Sequence, residues 1–394
     1  MKRPDTTATH ADVLARATAL APLLAEQAAE AEEKRRLTGA VMGAAAQARL
    51  FHMVVPQGWG GDGLGLATLA QSTRILATGC PASAWTLSFL VLHNWLITRF
   101  PAPFHEEAFG RRGYALMPAP LAPTGRLTKV AGGYQVRGRW EWATGVNHGD
   151  WAMIHAVETG DGGAVVGTRF AALPIADVVV EDVWFTSGMR ATGSNAIRVE
   201  DRFVPEHRTV TGLELVAARP FDAGAALAAL PMVPVLSIVA AAPALGAAEA
   251  AVDLFTQRVR ERVLTYGAGE RAAEQPAAQM RLASALAEMR AARAVFDRAI
   301  ADVEAAARLP DGMTLEDRMA ARLAAANVVR MAREVITDVC AGAGASVYYA
   351  TSPLQRLQRD VEVLKGHVVF DWDRTTELAG RVALGLPLRP TDLV

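Results

Sequence analysis

The first third of the chain has apolar positions at helical spacing. Apolar side chains recur every three or four positions between Ala11 and Ala48, which predicts helix, with the charged block Glu32–Arg36 on a solvated face. Pro56 and the glycines that follow it predict a loop. Helix is predicted again over 66–109, with one break around residues 78–81 and another at Pro101.

Short alternating segments replace the helical pattern from about Arg112. Apolar and polar residues alternate within stretches such as 133–142 and 151–157, and Gly and Pro become frequent between them. Gly132 and Gly133 predict a hairpin turn. A small β domain is therefore predicted in the middle of the chain.

Long Ala-rich helical segments return from Leu213 onward. Breaks near Gly267, at 310–312 and at 342–353 predict about four long helices, as in a bundle. The apolar run Met232–Ala248 contains two prolines and a serine, which favours a buried bundle helix over a membrane span. The predicted organisation is an N-terminal helical domain over 1–111, a middle β domain over 112–212 and a C-terminal helical bundle over 213–394.

Composition and charge narrow the functional classes. The 40 basic residues nearly cancel the 41 acidic ones, so we do not expect the protein to bind nucleic acid. Cys80 and Cys340 lie in no C-x-x-C or Cys/His cluster, so no metal site is expected. The polar N-terminus has no apolar stretch typical of a signal peptide. We therefore expect a cytoplasmic protein that does not bind membranes.

Four motifs follow one another in an order that resembles the acyl-CoA dehydrogenase superfamily. They are the glycine-rich segment LFHMVVPQGWGG over 50–61, WEWATG over 140–145, G-M-R with T-G-S-N and V-P over 188–205, and A-G-A-G followed by R-D over 341–360. The resemblance implies a mostly helical fold with a β-barrel-like middle domain and a C-terminal four-helix bundle.

Neither position at which these dehydrogenases carry their catalytic carboxylate holds an acid here. Val368 lies nine residues after the Arg of the Arg-Asp pair, and no acid occurs between Asp222 and Glu249, where a second branch places its Glu. The segment SPLQRLQRDV over 352–361, followed by His367, instead resembles the group D two-component flavin-dependent monooxygenases of the same fold.

This resemblance implies a particular use of flavin. Reduced FMN or FAD would react with O2 at flavin C4a, one oxygen would pass to a small substrate, and a separate flavin reductase would supply the reduced flavin. The resemblance also implies a homotetramer. Several aromatic residues could line the cavity and favour an aromatic or apolar substrate: Trp85, Phe89, Trp95, Trp184 and Phe185.

Several questions about activity stay open at this point. The oxidised atom could be carbon, nitrogen or sulfur, and the sequence does not choose between FMN and FAD. An acyl-CoA dehydrogenase or oxidase and a non-catalytic helical scaffold of the same fold are alternatives.

Three residues are candidates for catalysis. The resemblance makes His367 the acid/base, and histidine has an ordinary pKa of about 6.5, which suits proton transfer near neutral pH. Asp371 follows four positions later and would share a helix face with His367, where it could orient the imidazole. His93 lies in an apolar helix and could contact substrate. The alternatives are a structural histidine at either position and a solvated aspartate.

Six residues are candidates for binding the flavin. Trp142 and Thr144 would point to one side of a strand beside the isoalloxazine, and Gly145 completes that motif. Arg262, with Arg258 and Arg260 before a loop at Tyr266-Gly267, resembles the family's cationic grip on the flavin phosphate of a neighbouring subunit. Gly342 and Gly344 suit a close backbone approach to the cofactor. A core tryptophan and a solvated arginine face are the alternatives.

Overall fold

The computed structural model describes residues 7–264, 269–389 and 392–394. The described part of the N-terminal region contains five α-helices: α1 His10–Lys34, α2 Gly39–Gln47, α3 Leu66–Ala77, α4 Pro81–Ile97 and α5 Ala102–Phe109. Pro81 stands in the first turn of α4, a position that requires no backbone N–H. The predicted break around residues 78–81 is confirmed.

The helix predicted over 11–48 is two helices. Arg35 adopts a left-handed backbone (φ 50°) and ends α1, and the Thr38 side chain caps α2 by accepting a hydrogen bond from the Val41 N–H. The charged block at this break is only partly solvated. Glu32 pairs with Arg359 at 2.6 Å and Arg35 pairs with Asp182 at 2.6 Å, so the expectation of a solvated face is corrected.

The middle of the chain forms one mixed sheet of seven strands. They are β1 Gly125–Val130, β2 Gly133–Ala143, β3 Trp151–Thr159, β4 Val165–Pro174, β5 Val179–Glu181, β6 Asn195–Pro205 and β7 Thr209–Thr211. The strand order is β5-β6-β2-β1-β3-β4-β7, and only the β1–β3 pair is parallel among these. The predicted hairpin turn is confirmed between β1 and β2, where Gly132 has φ 77°.

Six α-helices follow the sheet within the described residues. They are α6 Gly212–Val216, α7 Met232–Glu261, α8 Pro276–Ala306, α9 Leu315–Ala343, α10 Pro353–Leu364 and α11 Trp372–Ala383. The bundle consists of the long helices α7, α8 and α9 with α10 as a short fourth member, and α11 packs on α9. The expected mostly helical architecture around a central β region is confirmed.

Helix α7 is long and apolar enough to cross a membrane by composition alone. Its apolar window is nevertheless entirely buried within the protein. Pro243 lies inside this helix without ending it. The prediction of a buried bundle helix at this place is confirmed.

Helix α4 connects the parts of the fold that matter most below. All 17 of its residues are buried. It packs against α3, α7 and α10, and also against the short turn that precedes β6. Side chains from both the N-terminal region and the C-terminal bundle therefore meet along α4.

Candidate active site

Three aromatic side chains four residues apart line one face of α4. The ring centroids of Trp85 and Phe89 lie 4.7 Å apart, and those of Phe89 and His93 lie 5.7 Å apart. Residues at i and i+4 share a helix face, so the three rings form one continuous surface, here called the aromatic wall. All three side chains are buried.

His367 faces the end of the aromatic wall. Its ring lies edge-on to Trp85, with 5.4 Å between ring centroids. The residue is half-buried, and its Nδ1 atom is buried without a hydrogen-bond partner among the described residues. Burial, aided by the positive charge of Arg322, lowers the His367 pKa to about 4. His367 is therefore a neutral imidazole at pH 7 and can accept a proton.

His93 has a defined tautomer. Its Nδ1 lies 2.6 Å from the Met117 carbonyl oxygen. A carbonyl only accepts hydrogen bonds, so Nδ1 carries the proton and Nε2 keeps a free lone pair. Burial lowers the His93 pKa to about 4, which keeps this imidazole neutral as well.

Asp371 does not share a helix face with His367. Helix α10 ends at Leu364, and His367 lies in the turn between α10 and α11. Asp371 is exposed and caps α11, where its carboxylate accepts a hydrogen bond from the Arg374 N–H at 3.0 Å. The prediction that Asp371 shares a helix face with His367 and orients its imidazole from there is therefore wrong.

The end of β2 departs from regular strand geometry. Trp142 has a left-handed backbone (φ 64°), and the β2–β6 register shifts between Trp140 and Ala143. The strand ends at Ala143, so Trp142 and Thr144 are not alternate residues of one strand face, contrary to the prediction. Trp142 is 62% exposed, so it is no core tryptophan, and a strained conformation with an uncovered indole is typical of a binding site.

Thr144 and Gly145 connect this strand end to its surroundings. The Thr144 hydroxyl lies 2.9 Å from that of Ser194, which in turn lies 2.7 Å from that of Thr192. Gly145 has φ 74°, and a Cβ there would stand 2.9 Å from the Thr86 methyl group on α4. Thr86 follows Trp85, so α4 touches both the strand end and, through the aromatic wall, His367.

A second group of predicted flavin-binding residues lies together at the C-terminal ends of α7 and α9. Arg262 donates to the Ala343 carbonyl at 3.0 Å, and a Cβ on Gly344 would stand 2.7 Å from the same guanidinium. A cavity of about 270 Å³ opens beside Arg262 and Gly342. Three arginines line it and define the arginine pocket: Arg258, Arg262 and Arg281.

The arginines that line this pocket are not all the ones predicted from the sequence to bind the flavin phosphate. Arg281 on α8 was missed because nothing in the sequence places α8 beside the end of α9. Arg260 is exposed and does not line the cavity, whereas Arg258 donates to Ala343 and Ser346. The loop residues Tyr266 and Gly267 lie outside the described residues. An excess of guanidinium groups with few acids suits a phosphate-bearing ligand.

The aromatic residues proposed to line a cavity do not all join the aromatic wall. Phe185 is 70% exposed and lies under the Arg35 guanidinium, 3.9 Å from ring centroid to charge. Trp184 donates its indole N–H to Met189. Trp95 is buried beside Arg99.

Asp360 is a buried carboxylate whose environment the sequence did not indicate. Its Oδ1 accepts a hydrogen bond from the Met189 N–H at 2.5 Å and so joins α10 to the loop before β6. Burial raises the Asp360 pKa to about 7, and the Met189 hydrogen bond opposes that shift.

The structure also locates the two dehydrogenase base positions. Val368 is 47% exposed, and the start of α7, where the second branch carries its Glu, consists of buried apolar residues, Met232 to Val235. Within the described ranges, no cluster of three metal-binding side chains occurs.

Known proteins resemble this chain over almost its whole length. Residues 9–104 match the acyl-CoA dehydrogenase N-terminal domain family, and residues 238–372 match the C-terminal domain family. A pigment production hydroxylase from a Rhodococcus species is 33% identical over 96% of this chain and 98% of its own length. The HsaA oxygenase subunit of a flavin-dependent monooxygenase from Rhodococcus jostii is 30% identical over 95% and 98%.

A solved structure extends the comparison to the fold. XiaF from a Streptomyces species, in complex with FADH2 and glycerol, superposes with a TM-score of 0.89 at 28% identity, covering 98% of this chain and 97% of that one. The chain belongs to the acyl-CoA dehydrogenase superfamily, in its branch of flavin-dependent monooxygenase oxygenase components. It is thus an oxidoreductase that uses flavin and O2.

Proposed function

We propose that this protein hydroxylates a small aromatic substrate that carries a hydroxyl group, with His367 as the acid/base. The observation that carries this proposal is the neutral His367 imidazole beside the aromatic wall, with a buried and unpartnered Nδ1. A flat ring would pack against Trp85 and Phe89 by apolar contact.

The chain's own residues would handle protons around that ring. His367 would accept the proton of the substrate hydroxyl, which makes the neighbouring ring carbon more electron-rich, and would return a proton later. His93 would offer its Nε2 lone pair to a second polar group of the substrate. Burial along α4 would keep bulk water away from the reaction.

The residues present fit a bound flavin. The exposed Trp142 indole and the Thr144 hydroxyl would contact the isoalloxazine, Gly145 would hold that strand end against α4, and the arginine pocket would hold phosphate. When bound, the reduced flavin supplies two electrons to O2, so that one oxygen enters the substrate and the other leaves as water.

We assign the arginine pocket to the second phosphate, which FAD has and FMN lacks, so the proposal favours FAD over FMN. XiaF was solved with FADH2, and the HsaA relatives are named as oxygenase subunits, which supports a separate reductase as the source of reduced flavin. A homotetramer in which Arg262 reaches a neighbour's flavin stays a prediction.

The proposal is tested by single-turnover mixing. Protein loaded anaerobically with reduced FAD is mixed with oxygenated buffer and a phenol as probe, and hydroxylated product and H2O2 are quantified. We expect a flavin absorbance transient that outlives the reaction of free reduced FAD, with hydroxylated phenol as product. The His367→Ala chain should lose roughly 100-fold or more in product yield and release H2O2 instead.

A matched histidine provides the control. His207 is paired with Glu107, away from α4, so His207→Ala should leave the yield unchanged. Equal yields from the wild-type and His367→Ala chains would refute the acid/base role. Anaerobic reduction of bound FAD by an acyl-CoA thioester would refute the monooxygenase proposal itself.

A further inference from the structure

Arg322 is a charged side chain with no exposed surface. It lies on α9, and its relative exposure is 0%. One terminal nitrogen donates to the Val368 carbonyl at 3.2 Å, and the other donates to the Leu393 carbonyl. Its Nε is buried without a partner among the described residues. A buried guanidinium bonded only to neutral carbonyls costs stability, so packing alone does not explain it.

The Val368 carbonyl belongs to the turn that presents His367. Within that turn the His367 N–H donates to Leu364 at 3.0 Å, and the Phe370 N–H donates to the His367 carbonyl at 2.8 Å. These bonds close the turn and join it to the end of α10, but neither of them reaches α9. The hydrogen bond from Arg322 to Val368 ties it to α9.

We propose that Arg322 is a positioning residue for His367: it anchors the turn that carries the imidazole and holds a fixed positive charge near it. This inference rests on the proposed acid/base role of His367. A base that must accept a proton has to be neutral when substrate arrives. A neighbouring cation disfavours a second positive charge and so keeps the imidazole neutral.

The other charged groups near this turn do not contradict the role assigned to Arg322. From α11, Asp371 and Arg374 oppose one another near Arg322, and Asp392 adds a further negative charge. From α4, the neighbouring side chains are the rings of the aromatic wall, of which only His93 titrates. Arg322 is the cation whose charge lowers the His367 pKa, after the larger effect of burial.

The test measures the protonation of His367 without substrate or flavin. Diethyl pyrocarbonate acylates neutral imidazoles, and peptide mass spectrometry gives its rate at His367 as a function of pH. In the wild type the rate should stay near its maximum down to about pH 5. In Arg322→Gln, which keeps a hydrogen-bond donor but loses the charge, the midpoint should rise by roughly one pH unit. Arg322→Lys keeps the charge and should stay near the wild-type curve.

Controls are available within the same chain. The His207 peptide is an internal reference whose curve should not move between variants. Arg298 is an exposed arginine of α8, paired with Asp302, and Arg298→Gln should leave the His367 curve unchanged. If Arg322→Gln shows no cooperative unfolding transition, and so is not properly folded, Arg322→Met serves as the second uncharged variant.

Two results would overturn the inference. One is a His367 curve in Arg322→Gln or Arg322→Met that superposes on the wild type. The other is an Arg322→Lys curve that moves as far as the neutral variants, since charge would then not be the cause. Failure of the proposed function is separate: His367→Ala would then keep its full product yield, whatever the acylation curves show.

Discussion

At the scale of single residues, Trp142 combines a left-handed backbone with an exposed indole. A left-handed conformation costs a bulky residue about 1–2 kcal/mol and glycine almost nothing. We therefore predict that Trp142→Gly unfolds with a free energy about 1 kcal/mol higher than Trp142→Ala. Both variants should lose affinity for reduced flavin equally. Urea unfolding and a flavin fluorescence titration measure the two effects.

This pair of variants separates strain from binding. Trp142→Ala removes the indole and keeps the strained backbone, whereas Trp142→Gly removes both. Flavin affinity that survives both substitutions would show that the indole does not contact the cofactor. Equal stability of the two variants would show that the left-handed backbone costs nothing.

Residue-level prediction from sequence failed where spacing assumed regular geometry. His367 was predicted from a motif, and its catalytic role stays a prediction. Asp371 was linked to His367 by a helical i,i+4 rule, but the chain leaves the helix at Leu364. Trp142 and Thr144 were predicted to point to the same side of a regular strand, but an irregularity in the β2–β6 pairing removes that regularity.

At the scale of elements, the junction between α10 and the loop before β6 depends on Asp360. Its pKa of about 7 in the folded chain lies above the ordinary value of 3.8. The folded state therefore holds the proton more tightly, so this contribution to stability is fully present below pH 3.8 and is lost as pH rises to about 7. Asp360→Asn keeps an acceptor for the Met189 N–H and cannot ionise.

We predict that Asp360→Asn removes this pH dependence. Between pH 4 and 8 the wild type should lose on the order of 2–4 kcal/mol of unfolding free energy relative to the variant. Urea unfolding at several pH values measures it. Asp373→Asn, at an exposed position of α11, should run parallel to the wild type. If the unfolding free energy of Asp360→Asn also ran parallel to that of the wild type, the Asp360 carboxyl would be ionised over this whole pH range.

Element boundaries were predictable where the sequence contains a residue that stops helix. Pro81, Pro101 and the glycines near residue 60 marked true ends. The break after Lys34 was missed because Arg35 takes a left-handed conformation that arginine rarely adopts. Contacts with Asp182 and Phe185, distant in sequence, accompany that conformation.

At the scale of the whole molecule, the proposed flavin site has two parts, the strand end at Trp142 and the arginine pocket, which in the predicted homotetramer would belong to neighbouring subunits. Gly342 lies where a Cβ would press on the Arg281 side chain. We predict that Gly342→Ala weakens FAD binding roughly tenfold, about 1.4 kcal/mol, and leaves FMN binding unchanged. Equilibrium titration with both flavins measures this.

The matched control is Gly380→Ala on α11, where an added Cβ would meet nothing within 4 Å. It should bind both flavins as the wild type does. If Gly342→Ala weakened FMN and FAD equally, the arginine pocket would not be a second-phosphate site. If it weakened neither, the pocket would lie outside the flavin site.

The order of helices, strands and helices was predictable because hydrophobic periodicity changes twice along the chain. Which elements touch was not. The meeting of α4 with His367 joins positions almost 300 residues apart in sequence, and Arg281 reaches Gly342 through helix packing. Such contacts depend on tertiary packing, for which a single sequence carries no local signal.

The complete burial of α4 has a consequence for how this protein could change its substrate range. A helix with a solvent-exposed face can accept substitutions there at little cost, but α4 has no such face. Enlarging or reducing the aromatic wall would disturb packing on α3, α7 or α10 at the same time. New specificities on this scaffold should therefore arise through paired substitutions, one on α4 and one on the helix against it.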